Sequence, residues 1–210
     1  LLVTIYKQTH RRKYKMPFWT SPHETGMAEP KRKFRFMVIV NGIDGSNMMW
    51  YAKTATKPSF TIAAAEHKYL NHTFYYPGSV SWNEVTITLV DPVDDPGDMA
   101  ATLSKIVEDS GYKIPTKAGT PADLTTLTKG NAVGALQTVT VRQLDHAGGP
   151  LESWTLNNAW ISELTFGDLE YGSDDITELT MKLKYDWASL ETTKAAADKS
   201  TKKVFDLTTS

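Results

Sequence analysis

The sequence predicts a mainly β fold with one or two helices, and three observations carry that expectation. Between Val80 and Val90 the side chains alternate, with Val85, Ile87 and Leu89 on one face and Glu84, Thr86 and Thr88 on the other. Between Thr177 and Trp187 the same period sets Leu179, Met181, Leu183 and Tyr185 against Glu178, Thr180, Lys182 and Lys184. Only Met99, Leu103, Ile106, Val107 and Ser110 recur at clear helical spacing, behind Asp98 as N-cap and ahead of Gly111 as stop.

The other elements follow in chain order. Residues 1–30 carry Pro17, Pro22 and Pro30 without sustained periodicity and read as an extended arm. Lys33–Val40 is β-branched and aromatic, apolar on both faces, the pattern of a strand buried on both sides. After the turn-forming pairs Asn41-Gly42 and Asp44-Gly45 a second strand is expected at Met49–Thr56. Lys57–Leu70, opened by Pro58, reads as a long connection. Asn71–Tyr76 is strand-like, and Pro77-Gly78 reads as a turn. A weaker helix is expected from a Thr120 cap to about Asn131, with Gly130 counting against it. Leu136–Leu144 alternates around Val139 and Val141 and ends in the 145–150 turn. Trp154, Leu156, Trp160, Leu164 and Phe166 share parity, as one long strand or a bent pair requires. Beyond Ala188 the chain turns polar and Lys-rich. The expected division is an arm (1–30), a β domain (31–188) and a tail (189–210).

Composition bounds the chemistry. With 40% apolar and 22% charged residues, 210 residues can bury a sizeable core. There is no cysteine, which excludes disulfides, thiolate metal sites and a cysteine nucleophile. No segment approaches the length of an apolar membrane span, and no secretory signal is expected. The net charge of −1 conceals a split: residues 1–35 hold nine Lys/Arg against two acids, a local +7, and the remainder holds −8. A basic arm on an acidic body marks contact with nucleic acid, a membrane surface or another copy of the chain; the plain alternative is a solvated tail. Tyr6, Tyr14, Phe18 and Trp19 give the arm a nucleic-acid-like composition without a pattern.

No catalytic constellation emerges. His67 and His72 are the one close histidine pair, and their odd separation within a strand predicts opposite faces, against a shared zinc. Asp91, Asp94, Asp95 and Asp98 cluster, but Val93 and Pro96 stand where a calcium loop needs oxygen ligands, so helix capping explains the acids better. Nucleophile elbow, Walker-type loop and dinucleotide fingerprint are all missing. Trp50, Trp82, Trp154, Trp160 and Trp187 fall in strand patterns and read as core. An enzyme with unmarked carboxylates and a β-sandwich module binding carbohydrate or protein remain as alternatives from other classes.

The order of elements resembles the tail tube proteins of contractile-tailed bacteriophages, over roughly Lys33 to Ala188. Four blocks carry the resemblance: Phe34–Val40 followed by Tyr51–Pro58; Tyr76–Asp91; Val139–Asp145 with Trp154–Ile161; and Leu179–Trp187, closing on aromatic-acid-aromatic. It implies a two-sheet β-barrel or sandwich that assembles into hexameric rings, stacked as a hollow tube through which DNA is ejected. A contractile sheath encloses that tube. It also implies a virion location and no cofactor or catalytic residue. The expected partners are other copies, the sheath, baseplate and tail terminator proteins, and the tape measure protein and DNA in the lumen, with no membrane. A tube-initiating baseplate subunit or the inner tube of an injection system shares the same architecture. The resemblance puts Lys57, Pro58, Phe60, Ile62, Glu66, His67, Lys68 and Tyr69 at the ring-to-ring contact. The polar faces bearing Glu84, Thr86, Thr88, Thr138, Thr140, Glu163 and Glu178 are the lumen candidates, on the argument that a DNA conduit should repel phosphates. Arg11, Arg12, Lys13, Phe18, Trp19, Lys31 and Arg32 are candidates to reach the acidic body of a neighbouring copy.

Overall fold

The computed structural model describes residues 30–42, 51–92, 98–114, 125–193 and 201–206. The chain divides into two compact units, Leu1–Lys33 and Phe34–Ser210. Of the first, the described residues 30–33 are exposed.

The second unit runs β1 (Phe36–Val40), β2 (Ala52–Ala55), β3 (Phe60–Tyr69), β4 (His72–Trp82), β5 (Val85–Val90), α1 (Met99–Asp109), α2 (Lys129–Leu136), β6 (Val139–Leu144), β7 (Pro150–Asn157), β8 (Trp160–Thr165), β9 (Glu178–Lys184), β10 (Trp187–Thr193) and β11 (Thr201–Val204). Two antiparallel sheets, β1-β6-β7-β10-β11 and β2-β5-β9-β8, enclose the core, and β3-β4 forms a separate two-stranded ribbon. One sheet sends Val38, Val40, Val139, Val141, Leu156 and Ala188 inward; the other sends Val85, Ile87, Leu89, Leu179, Met181 and Leu183. The period-2 alternation read in β5 and β9 is therefore the inner face of one sheet, bonded strand to strand as Ile87↔Met181 and Leu89↔Leu179.

Helix α1 closes one end of the core with Met99, Leu103 and Ile106. Two acids of the expected cluster hold its N-terminus. Asp98 Oδ1 accepts from the Ala101 amide at 2.9 Å, and Asp91 Oδ1 accepts from the amides of Met99 (3.2 Å) and Ala100 (3.4 Å). These bonds satisfy donors that the first turn cannot, which is the capping role expected for them. Asp94 and Asp95 lie outside the described residues, and no metal-ligating group of three occurs among the described ones. Gly111 ends the helix at φ +104, where a Cβ would come within 2.7 Å of the Thr126 carbonyl oxygen.

Several expectations are corrected. β1 begins at Phe36 and is buried at Val38 and Val40 only, so it has one core face rather than two. Lys57–Leu70 is no irregular connection: most of it is strand β3, which escapes detection because no face of it is buried. Pro77-Gly78 lies inside β4 as a bulge, and the turn falls at Leu70-Asn71 instead. The weaker helix starts at Lys129, near where the sequence placed its end, with Thr128 as its cap, accepting from the Asn131 amide at 3.2 Å; the expected cap Thr120 lies outside the described residues. Leu136 belongs to that helix, and β6 starts at Val139. The shared-parity tryptophans sit on a bent pair, β7 and β8, that crosses from one sheet to the other through Asn158 (φ +56) and the fully buried Ala159. Past Ala188, β10 continues to Thr193, and β11 returns to pair with it, Leu190↔Val204.

Two interior polar groups set testable energetics. Glu152, nearly buried, accepts from Lys57 Nζ at 2.8 Å and from Trp154 Nε1 at 2.5 Å, while Lys57 also reaches Gln143 Oε1 at 2.7 Å. Lys57→Met strips the cation from a desolvated carboxylate and should cost about 1–3 kcal/mol, read as a lower urea midpoint at constant slope. The Tyr185 hydroxyl is buried, and desolvation pushes its pKa up to about 12, against a lowering contribution from the Ser59 backbone. Between pH about 10, where an unfolded tyrosine ionises, and about 12, only the folded state keeps the proton. Stability should fall as pH rises through that window. Tyr185→Phe is expected to abolish this alkaline loss in pH-dependent thermal melts, with no loss at neutral pH.

Candidate self-assembly surface

The ribbon β3-β4 stands apart from both larger sheets. Every residue of β3 is exposed, and in β4 only Thr73 and Trp82 are even half-covered. Phe60, Ile62, Tyr69, Leu70, Phe74, Tyr75, Tyr76 and Val80 are all large, apolar or aromatic, and open to solvent. Nine paired positions at strand rise give it a reach of about 30 Å.

The register shift between Ile62 and Ala64 divides the ribbon into two halves. Before it, Phe60↔Trp82 and Ile62↔Val80 put the large apolar side chains on one face. Beyond it, Ala65↔Tyr76, His67↔Phe74 and Tyr69↔His72 put Tyr69, Phe74 and Tyr76 on the opposite face, because the one-residue slip changes the parity of β4, while Tyr75, opposite Glu66, stays on the first face. Gly78 makes the slip possible: a Cβ there would lie 3.0 Å from the Ala63 carbonyl oxygen. The ribbon therefore offers apolar surface on one side near its base and on the other near its tip. His67 and His72 both lie on the aromatic tip face, since a turn stands between them; the expectation of opposite faces assumed a single strand. His72 meets Phe74 edge-on, centroids 4.7 Å apart.

At its base the ribbon is clamped. Trp82 packs against Phe60 (5.2 Å between centroids), Tyr185 (5.9 Å) and Phe205 (5.8 Å). Of the residues expected at a ring-to-ring contact, Lys57 bonds to Glu152 at 2.8 Å and Pro58 is buried at the base of the ribbon, while Phe60, Ile62, Glu66, His67, Lys68 and Tyr69 lie exposed along β3. Phe74, Tyr75, Tyr76 and Val80 on β4, outside the expected set, are exposed on the same ribbon. The run of adjacent aromatics 74–76 was the available signal, masked by the Pro77-Gly78 that looked like a turn.

The lumen candidates separate. Glu84, Thr86, Thr88, Glu163 and Glu178 gather on or beside the outer face of the four-stranded sheet, where Thr86↔Lys182 and Thr88↔Thr180 are cross-strand pairs. Thr138 and Thr140 belong to the five-stranded sheet. Each glutamate of the first group meets a lysine: Glu163 with Lys182 at 2.8 Å, Glu84 with Lys184 at 3.2 Å, and Glu178 with Lys53. These six charges cancel, leaving a hydroxyl-rich, charge-balanced face. Hydrogen bonding to Glu163 raises the Lys182 pKa, as Glu178 does for Lys53. Among the arm candidates Lys31 and Arg32 are exposed; Arg11, Arg12, Lys13, Phe18 and Trp19 lie outside the described residues.

No protein-family model matches the chain, and no curated protein matches it in sequence. Solved structures do match. A chain of the anti-feeding prophage cap, which terminates its tube, superposes with a TM-score of 0.56 at 18% identity, over 82% of this chain and 99% of that one. A chain of the sheath–tube complex of the extracellular contractile injection system PVC gives 0.55 at 16% identity, over 82% and 99%. A chain of the anti-feeding prophage baseplate gives 0.55 at 16%, over 78% and 97%. Among the described residues no helix is long and apolar enough to cross a membrane. The chain has the tube-type β fold found in these contractile injection assemblies.

Proposed function

We propose that the chain is a non-catalytic structural subunit of the inner tube of a contractile tail, forming stacked hexameric rings inside a sheath. The observation that carries this reading is the ribbon. A two-faced apolar protrusion that none of the described residues covers needs other copies to bury it. The fold shared with injection-system assemblies supports the same class.

In this reading the ribbon bridges successive rings, and the four-stranded sheet turns its charge-balanced face to the lumen, where DNA and the tape measure protein pass. The basic arm of one copy engages the acidic surface of another. Baseplate and terminator proteins join the ends of the tube, and the phage virion is the setting. A tube-initiating or tube-capping ring is the second reading, favoured by the cap and baseplate chains among the structural neighbours.

The purified chain, followed by negative-stain electron microscopy across concentration, should show sixfold rings that stack into open-ended tubes. Rings that stop at one or two layers would favour the capping role, and a persistent monomer unable to extend tails on purified baseplates would overturn both. The double variant Phe74→Ser/Tyr76→Ser should unfold within about 0.5 kcal/mol of the parent, because neither side chain is buried in its own chain, yet it should fail to stack. The core variant Ile87→Ala should show the reverse priority, losing about 2–5 kcal/mol in urea denaturation.

A further inference from the structure

Trp160, expected in the core, is an indole that the core does not use. It is half-buried, and among the described residues it belongs neither to the buried cluster nor to the partly buried side chains packed against it. Nor does it meet another aromatic ring among them. It stands opposite Lys184 on the outer face of the four-stranded sheet, because the next pair, Ile161↔Leu183, turns inward. A single apolar side chain at a surface calls for no explanation. This one walls a cleft.

The cleft holds about 380 Å³ and lies between the β4–β5 turn, the end of β9 and the starts of β8 and α2. Trp82 and Tyr185 line it together with Trp160, and Trp82 is steadied by Phe60 and Phe205 at 5.2 and 5.8 Å between centroids. The polar lining is Asn83, Glu84, Lys129, Lys184 and Asp186. Its two anions and two cations cancel in pairs, Lys129 with Asp186 at 2.7 Å and Lys184 with Glu84 at 3.2 Å. Asn158 also donates to Asp186 at 2.8 Å, and Asn83 donates to the Ser59 hydroxyl at 3.0 Å. These contacts fix the lining without exhausting it. An ammonium carries several donors and a carboxylate several acceptor positions, and the four charged side chains keep between 39% and 59% of their surface open. Ligand classes separate on these features. A charged ligand gains little from a lining that cancels, and it competes with the two existing pairs. A purely apolar one strands five polar groups away from water. A neutral polyol suits both halves: its C–H face lies on an indole, and its hydroxyls accept from Lys184 while donating to Glu84. The volume is at the small end for ligand sites, room for about one or two sugar rings.

We propose that this cleft binds a neutral sugar, with Trp160 as the stacking platform and the Glu84–Lys184 pair as the partners of its hydroxyls. The site goes beyond the tube reading and does not rest on it. So few contacts give weak binding, with a dissociation constant on the order of 1 mM for a single sugar unit.

Saturation-transfer NMR on the full-length chain tests this with the methyl glycosides of glucose, galactose, mannose and N-acetylglucosamine. The method reads a monomer and a tube alike, so the result is separate from assembly. At least one glycoside should show saturable transfer, strongest to the C–H protons of one ring face. Trp160→Ser should abolish the signal and Trp160→Phe should retain part of it. Lys184→Met, at an exposed position that leaves the core untouched, should melt with the parent and weaken binding about tenfold or more, which keeps the test open if Trp160→Ser does not fold. No saturable transfer from any of the four up to about 50 mM overturns the site. Transfer that is unchanged in Trp160→Ser and Lys184→Met puts the sugar elsewhere and overturns it equally. Tighter binding of tetramethylammonium or of glucuronate assigns the cleft to a charged ligand and overturns the neutral sugar. Each of these outcomes leaves the tube reading standing.

Discussion

The clamp at the base of β3-β4 is the interaction on which the rest of the molecule's use depends. An isolated two-stranded ribbon is marginal in water, and among the described residues this one pairs with neither of the two larger sheets. What fixes it is a small apolar joint: Trp82 wedged among Phe60, Tyr185 and Phe205, each contact edge-on or tilted. Beside it, Lys57 is pinned to Glu152 and Gln143 of the five-stranded sheet, so the strand entering the ribbon is tied to the sheet opposite the one that receives it. Tyr185 closes β9 and Phe205 follows β11, so the end of the chain returns to brace a structure begun 145 residues earlier.

Given a fixed base, the bulge decides what the ribbon can touch. A regular ribbon with one apolar side would lie flat on one partner. Gly78 and the slip opposite Ala63 turn the apolar side over halfway along, so the base patch around Ile62 and Val80 and the aromatic tip face in opposite directions. Such a strip is best covered from both sides. Its edges are guarded against pairing with stray strands, with Glu66 and Lys68 near the tip and Pro77 unable to donate. Cover is thus steered to side-chain docking rather than edge-to-edge aggregation.

Legibility in the sequence tracked burial. Where one face of an element meets the core, the alternation was plain: Val85, Ile87 and Leu89, or Leu179, Met181 and Leu183, were assigned to the correct face from spacing alone. The helix was equally clear, because Asp98 and Gly111 mark its ends chemically. β3 was not, since Phe-Thr-Ile-Ala-Ala-Ala-Glu-His-Lys-Tyr lies wholly in solvent and no core imposes a period on it. The positions of Leu70 and Gly78 were misread for a related reason. A glycine next to proline normally announces a turn, and a leucine normally excludes one; here both rules yield in a ribbon on which no core imposes a pattern. The same applies to the two histidines, whose facing depended on a turn that the residues between them did not advertise.

Charge balance on the four-stranded sheet alters the argument about a conduit. Repulsion by an acidic wall was the expectation from the acidic surplus of the body, but the lysines and glutamates on this face alternate across strands and cancel in pairs. Fields from such pairs decay faster than those of single charges, and salt screens them further within about 8–10 Å. A polyanion sliding past would release few counterions and gain little adhesion, while threonine hydroxyls at Thr86, Thr88 and Thr180 keep the wall wetted. Non-stick behaviour then follows from local cancellation and needs no net negative charge. It also does not depend on what passes, because a wall without net field neither holds nor rejects by charge. The acidic surplus is left to other segments, among them the loop 168–175 and the end of α1.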